Sequence, residues 1–100
     1  MVTVDWRKRA DYIRSRHGVI PVWADEAVNE DHAVWLTPDP ASRSGRSVRV
    51  IGYSTSARNI LVIILVAARA DEIEQPSGEW WGANAWVASA RDRHIYTKEN

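Results

Sequence analysis

Arginine supplies most of the side chains in this sequence that could do chemistry on a phosphate. Of the 13 basic residues only Lys8 and Lys98 are lysines. The planar guanidinium group binds phosphate and carboxylate through paired hydrogen bonds, so an arginine-rich chain favours recognition of such groups. A GC-rich genome, which favours arginine codons, explains the same bias equally well.

Arg58 is the strongest single candidate. It lies in the polar stretch from Ser54 to Asn59, which separates two apolar segments and predicts the turn of a hairpin. Arg46 and Arg49 are expected to reach the same edge of the sheet, so that the three cations would bind one phosphate. A solvated turn residue is an equally good interpretation of Arg58, and Arg49, which alternates with apolar neighbours, is also compatible with a side chain that faces water.

His17, Arg93 and Tyr96 are the candidates for proton transfer and substrate contact. His17 could titrate near neutral pH and act as an acid or a base, although a histidine before Gly18 more often interacts with the helix dipole. Arg93 and Tyr96 are three residues apart on a predicted helix and therefore share a face. Arg58, His17 and Arg93 are thus the predicted catalytic residues, and the substrate-binding ones are Arg46, Arg49 and Tyr96.

Composition narrows the class of protein. The 100 residues, 45% of them hydrophobic, suit one globular domain spanning residues 1–100. Cysteine is absent, which excludes disulfides and thiolate chemistry, and no histidine has the spacing of a metal site, so we expect no metal and no cofactor. The N-terminus lacks an apolar signal region, and a cytoplasmic protein is expected.

The charge is distributed in segments rather than as one basic face. Basic and acidic residues number 13 each, and basic stretches near the N-terminus and in the central hairpin alternate with acidic ones. A near-neutral isoelectric point argues against a general nucleic-acid binder.

The candidate residues must be held in place by secondary structure, and the sequence predicts an antiparallel hairpin at its centre. Val48–Tyr53 alternates as a half-buried strand does, and Ile60–Ala68 is continuously apolar, as expected for a strand covered on both faces. Nine apolar residues are too few to span a bilayer, which takes roughly 20.

Two helices are predicted before the hairpin and one after the sheet. Asp5 is the expected N-cap of the first, Gly18 its C-terminal residue, and Pro21 the start of the second. Ser89 and Asp92 form a capping-box variant that opens the last helix.

Two further strands complete the prediction, over His32–Thr37 and Trp80–Val87. On the latter, Trp81, Ala83, Ala85 and Val87 are expected to share one apolar face. The predicted fold is α+β, with two N-terminal helices, a four-stranded largely antiparallel sheet and a short C-terminal helix, in the order α-α-β-β-β-β-α.

Several strings, in order along the chain, resemble BrnT-type toxins of the RelE-like superfamily. Asp5-Trp6 and Arg16-His17-Gly18-Val19 resemble that family's opening W-D and K-H-G-V strings. Its central D-P, G, I-G-x-S and G-R strings have counterparts in Asp39-Pro40, Gly45, Ile51-Gly52-Tyr53-Ser54 and Ala57-Arg58. Its closing E-R-x-x-Y resembles Asp92-Arg93 with Tyr96. The resemblance extends from about Trp6 to Tyr96.

The resemblance implies a small bacterial toxin that cleaves RNA without a metal and is neutralised by a small DNA-binding antitoxin. Such cleavage needs a group that takes the 2′-hydroxyl proton, cations beside the phosphate and an acid for the leaving 5′-oxygen. The implied partners are the antitoxin and RNA, with a possible homodimer inside the toxin–antitoxin complex and no membrane.

An arginine of the family pattern is replaced in one of two possible alignments. The family's S-A-R string matches either Asn84-Ala85-Trp86, which places Trp86 where the arginine stands, or Ser89-Ala90-Arg91. The glutamate that commonly follows the glycine of the loop before the strand in that family is replaced by Arg46 in this sequence. The alternative hypothesis is therefore a catalytically degenerate toxin fold that acts as an interaction module for an antitoxin or for a second copy of itself.

Overall fold

The computed structural model describes residues 1–100 and contains three helices and five strands. In chain order the elements are β1 (Val4–Asp5), α1 (Ala10–His17), α2 (Pro21–Val28), β2 (Val34–Leu36), β3 (Ser47–Ser54), β4 (Asn59–Ala67), β5 (Trp80–Val87) and α3 (Ala90–Glu99). The α+β class and the order of the helices and the four longer strands match the prediction.

The predicted four-stranded sheet is wrong by one strand. Val4 and Asp5 form β1, which pairs in parallel with Trp80 and Trp81 of β5. Two residues carry too little periodicity to be recognised as a strand in a sequence. Asp5 is therefore not the N-cap of α1; the helix begins at Ala10, and its cap residue, Arg9, makes no side-chain capping bond.

The other predicted helix signals are confirmed. Gly18 ends α1 in the left-handed conformation, with φ of 67°, where glycine carries no Cβ penalty. Pro21 is the first residue of α2. Ser89 caps α3 by accepting a hydrogen bond from the Asp92 amide.

The sheet has the strand order β1-β5-β4-β3-β2. All pairs except β1 with β5 are antiparallel. The central hairpin runs from Ser47 paired with Val66 to Ser54 paired with Asn59, and residues 55–58 form its turn. We call this end of the sheet the turn end.

The β4 strand is covered on both faces, as its sequence predicts. Leu61, Ile63 and Leu65 pack with α1 and α2 in the larger core. Val62 and Ile64 point the other way, into a smaller core that is closed by Ile95 and Tyr96 of α3.

A bulge in β5 overturns the predicted division of its faces. Ile64 pairs with Asn84 whereas Leu65 pairs with Gly82, so Ala83 is the extra residue. One inserted residue reverses the alternation beyond it. Ala85 therefore lies in the larger core while Ala83 packs against the smaller one, and the four residues predicted to share a face do not.

Candidate functional site

The turn between β3 and β4 is held in place by Glu26 of α2. One carboxylate oxygen accepts hydrogen bonds from the Ser54 hydroxyl at 2.8 Å and the Ser56 amide at 2.9 Å. The other accepts from the Ser56 hydroxyl at 2.6 Å. These bonds stabilise the ionised form and lower the pKa of Glu26 although partial burial opposes them. The turn is therefore anchored by a negatively charged group at neutral pH.

Arg58 is the last residue of that turn and has a backbone φ of 55°. This left-handed conformation costs a residue with a Cβ roughly 1–2 kcal/mol compared with glycine. The side chain is exposed and forms none of the ion pairs in the structure. Arg58 thus presents an uncompensated positive charge at the turn end.

Arg93 and Tyr96 of α3 lie at the same end of the sheet. The Arg93 guanidinium donates to the side-chain oxygen of Asn59, the residue that follows Arg58, and to the Ala88 carbonyl at 3.3 Å. Both acceptors are neutral, so the positive charge of Arg93 is uncompensated as well. Of the predicted site residues, Arg93 and Tyr96 are thus the two that lie near the turn that carries Arg58.

Glu30, just beyond α2, links Tyr96 to β3. Its Oε1 atom accepts from the Tyr96 hydroxyl at 2.6 Å and from the Tyr53 amide at 3.0 Å, while its Oε2 atom accepts from the His32 amide. A carboxylate has about four acceptor sites, so one on Oε2 remains. Beside this group the Tyr53 side chain is 38% exposed and offers an aromatic surface.

The hydrogen-bonded pair of Glu30 and Tyr96 has opposite pKa shifts. Burial acts to raise the pKa of Glu30, but the hydrogen bonds from Tyr96, Tyr53 and His32 outweigh it and leave the pKa lowered. Burial, together with the bond to Glu30, raises the pKa of Tyr96 to about 12. At neutral pH Glu30 is therefore ionised and Tyr96 protonated.

Arg46 and Arg49 do not lie beside Arg58, contrary to the expectation from sequence. Arg46 precedes β3 and Arg58 precedes β4, so the two are separated by the length of the hairpin, about 25 Å at 3.3 Å per residue. Arg46 donates to the Ala67 carbonyl at 3.0 Å and pairs with Glu72 at 3.5 Å. The separation arises because residues before and after a strand leave from opposite ends of it.

Arg49 is an interior ion-pair residue rather than a free cation. It binds Asp39 at 2.9 Å and Asp92 at 3.0 Å, and both carboxylates are nearly buried. The two pairs tie the loop after β2 and the start of α3 to the sheet. Two anions neutralise the one cation, so little positive charge is left for a phosphate.

His17 is packed among aromatic rings. Its ring meets those of Tyr12 and Trp86, with centroids 5.9 and 6.0 Å away, and its Nε2 atom is buried without a hydrogen-bond partner. Trp86 also lies 5.6 Å below the Arg49 guanidinium. Trp86, which stands at the position of the family arginine if the S-A-R string is matched to Asn84-Ala85-Trp86, therefore packs between His17 and Arg49.

The residues that sequence reasoning missed are Glu30, Glu26, Tyr53 and Asn59. In the sequence, the acidic residues of the second helix are typical of the solvated side of an amphipathic helix. Nothing in their spacing shows which strand the helix will cover, so their contacts with β3 could not be predicted. Asn59 follows Arg58 directly, and its polar side chain at the start of an apolar strand was the one available signal.

No family model matches this sequence, and no curated protein matches it. The fold contains no group of three or more His, Cys, Asp or Glu residues placed to hold a metal ion. None of its helices is both long and apolar enough to cross a membrane.

Proposed function

We propose that this protein is the toxin of a toxin–antitoxin pair and cleaves RNA at the turn end of its sheet. The observation that carries the proposal is the grouping of two uncompensated guanidinium groups, Arg58 and Arg93, with the hydrogen-bonded pair of Glu30 and Tyr96. The resemblance to BrnT-type toxins supports it independently, since Arg58, Arg93 and Tyr96 all fall on its motifs.

The chemistry divides among these four side chains. Glu30, ionised and with one free acceptor site, takes the proton from the ribose 2′-hydroxyl, whose oxygen then attacks the phosphorus atom. Arg58 and Arg93 stabilise the charge that develops on the phosphate. Tyr96, whose pKa is raised to about 12, turns its hydroxyl away from Glu30 and gives its proton to the 5′-oxygen as the phosphorus–oxygen bond breaks. Glu30 then passes the 2′-hydroxyl proton to Tyr96, which restores both groups. The reaction leaves a 2′,3′-cyclic phosphate and a free 5′-hydroxyl.

The backbone of the turn supports a role for Arg58. A left-handed position is cheapest for glycine, and an arginine there sacrifices stability. Such positions concentrate at functional sites, where the side chain is kept for another reason.

A second function is favoured by a separate observation. Arg46 and Arg49, both predicted to bind the phosphate, are paired with carboxylates instead, and His17 is packed against Trp86. A toxin fold that has lost part of its catalytic set would serve as an interaction module, binding an antitoxin or a copy of itself.

Replacing Arg58 by glycine separates these two functions. The Arg58→Gly variant should fold about 1 kcal/mol more stably, because glycine relieves the left-handed strain, yet its RNA cleavage should fall by about 10²-fold or more with the loss of a phosphate-binding cation. The measurements are cleavage of a purified RNA, growth of a bacterial host on induction, and denaturant unfolding.

Arg43→Gly is the matched control, because Arg43 is an exposed arginine in the loop before β3 and should be dispensable. Wild-type protein that expresses well, leaves growth unimpaired and cuts no RNA would exclude the ribonuclease and leave the interaction module.

A further inference from the structure

One cavity opens on the surface of the fold, with a volume of about 340 Å³. Leu36, Pro40 and Ile95 supply apolar parts of its wall, and Arg49 and Asp92 supply polar parts. Pockets that bind small molecules usually measure roughly 300–1,000 Å³ and combine apolar surface with a few polar groups. This cavity is at the lower end of that range, so it suits a ligand with one ring system.

Arg49 keeps hydrogen-bond donors that the protein does not use. Its Nε atom donates to Asp39 and its Nη1 atom to Asp92, whereas its Nη2 atom donates to no protein group. Nη2 is also not enclosed, since the one buried side-chain nitrogen or oxygen without a partner is Nε2 of His17. Because two carboxylates and the ring of Trp86, 5.6 Å away, hold the guanidinium, the free donors have a fixed direction at the cavity wall.

Asp92 supplies unused acceptors beside these donors. Its Oδ1 atom accepts from Nη1 of Arg49 at 3.0 Å, and its Oδ2 atom accepts from the Ser89 hydroxyl at 3.3 Å. A carboxylate has about four acceptor sites, so each oxygen keeps room for a further bond. The cavity wall therefore places a donor group next to an acceptor group. Their charges compensate each other, which favours an uncharged polar ligand over a phosphate.

We propose that this cavity binds a guanine base. The O6 and N7 atoms of guanine accept hydrogen bonds from the free donors of Arg49, which is the commonest specific contact between a protein and a base. The N1–H and N2–H groups donate to the two oxygens of Asp92. Leu36, Pro40 and Ile95 give apolar contact to the ring. Guanine thus uses both the donor and the acceptor side of the polar wall.

The other bases match this wall less well. Adenine has an amino group where guanine has O6 and an unprotonated nitrogen where guanine has N1–H, so donor would face donor and acceptor would face acceptor. Uracil and cytosine each have one donor group, which leaves one oxygen of Asp92 without a new partner. A polar group that loses water and gains no partner costs binding free energy. Guanine should therefore be preferred to all three.

The cavity uses none of the side chains assigned to RNA cleavage. On α3, Asp92 and Ile95 line the cavity. Arg93 and Tyr96, each one position further along the helix, instead contact Asn59 and Glu30. Recognition of guanine therefore does not rest on the proposed cleavage. The base can come from a free nucleoside or from RNA, and the two sources are separated by experiment.

Titration of the full chain with guanosine, followed by amide chemical shifts in NMR, tests the proposal. Guanosine is uncharged, so the arginines of the surface cannot attract it by net charge. It should bind at least about tenfold more tightly than adenosine, cytidine or uridine. A short 2′-O-methyl RNA, which lacks the attacking hydroxyl and cannot be cleaved, is titrated with guanosine or adenosine at one position. A preference for the guanosine RNA identifies RNA as the source, and binding of guanosine without that preference identifies a free nucleoside; both support the proposal.

Two variants locate the binding site. Asp92→Asn removes one of the two acceptor oxygens and should weaken guanosine binding about tenfold or more. Ala41→Trp places a large side chain at an exposed position of the cavity wall and should abolish binding; it keeps the test valid if Asp92→Asn unfolds the chain. Asp71→Asn and Ala70→Trp are the matched controls, since both residues are exposed in the loop after β4, and they should bind as the wild type does.

Three results would overturn the proposal. They are the absence of saturable shifts with millimolar guanosine, equal affinity for guanosine and adenosine, and wild-type binding by a folded Ala41→Trp variant. None of these measurements depends on cleavage, so a protein that cuts no RNA would leave the result untouched, and a failure here would leave the proposed cleavage untouched.

Discussion

Glu26 is a partly buried carboxylate that fixes the conformation of the turn at the candidate site. Its hydrogen bonds to Ser54 and Ser56 cross from α2 to the turn that ends in Arg58. A four-residue turn has few internal contacts, so bonds from outside it are needed to select one conformation. Glu26 is therefore a positioning residue for Arg58, although it does not touch the proposed substrate.

The lowered pKa of Glu26 predicts a pH-dependent contribution to stability. A depressed pKa means that the unfolded chain binds the proton more tightly, so the contribution is full above the ordinary value of 4.5 and is lost as the pH falls through the folded-state pKa. Glu26→Gln should lower the free energy of unfolding by about 1–2 kcal/mol at neutral pH, and the difference should shrink in acid. Denaturant unfolding at several pH values measures both.

Glu99→Gln, at the exposed end of α3, is the control and should stay within about 0.5 kcal/mol of the wild type. A Glu26→Gln deficit that is constant from neutral to acid pH would show that the carboxylate charge is not what holds the turn.

Among the elements, α2 is the one that brings carboxylates to the turn end. It can do so only because it lies very close to β3 at Gly52, where a Cβ atom would stand 2.0 Å from the Ala27 carbonyl oxygen. That approach places Glu26 and Glu30 over the strand ends. The glycine in β3 is thus required by packing, and the geometry of the candidate site follows from it.

Gly52→Ala should therefore destabilise the fold by about 3 kcal/mol or more, because backbone must move to admit the methyl group. Unfolding in denaturant measures the loss. Gly45→Ala is the matched control: no atom lies within 4 Å of its added Cβ, and only the left-handed φ of 73° opposes it, at a cost of about 1–2 kcal/mol. Equal losses at the two glycines would contradict a close contact between α2 and β3.

For the molecule as a whole, charge balance limits how it can bind RNA. The chain carries equal numbers of basic and acidic residues, and several of its arginines are spent on ion pairs within the fold. Broad electrostatic attraction is therefore absent, and binding rests on the two uncompensated cations at the turn end.

The affinity for RNA should therefore depend only weakly on salt concentration. For single-stranded nucleic acid, the logarithm of affinity falls with the logarithm of salt concentration by about 0.7 for each phosphate contacted. Two contacts, from Arg58 and Arg93, predict a slope of about −1.4, measurable by titrating a labelled RNA at several salt concentrations. Removing Arg58 should halve that slope, whereas a slope several times steeper would place the RNA on a wider basic surface than the turn end.

Local patterns in the chain were sufficient to predict the central hairpin, the end of α1 at Gly18, the start of α2 at Pro21 and the cap of α3 at Ser89. Each of these features depends on residues that are close in sequence. They also identified Arg58, Arg93 and Tyr96 as candidates. Folding alone decided that Arg46 and Arg49 would pair with carboxylates at a distance from Arg58. It also decided that Ala83 would be the bulged residue and that Glu30 would meet Tyr96 across 66 positions. Those outcomes depend on which helix covers which strand and at what distance, and no spacing along the chain encodes that.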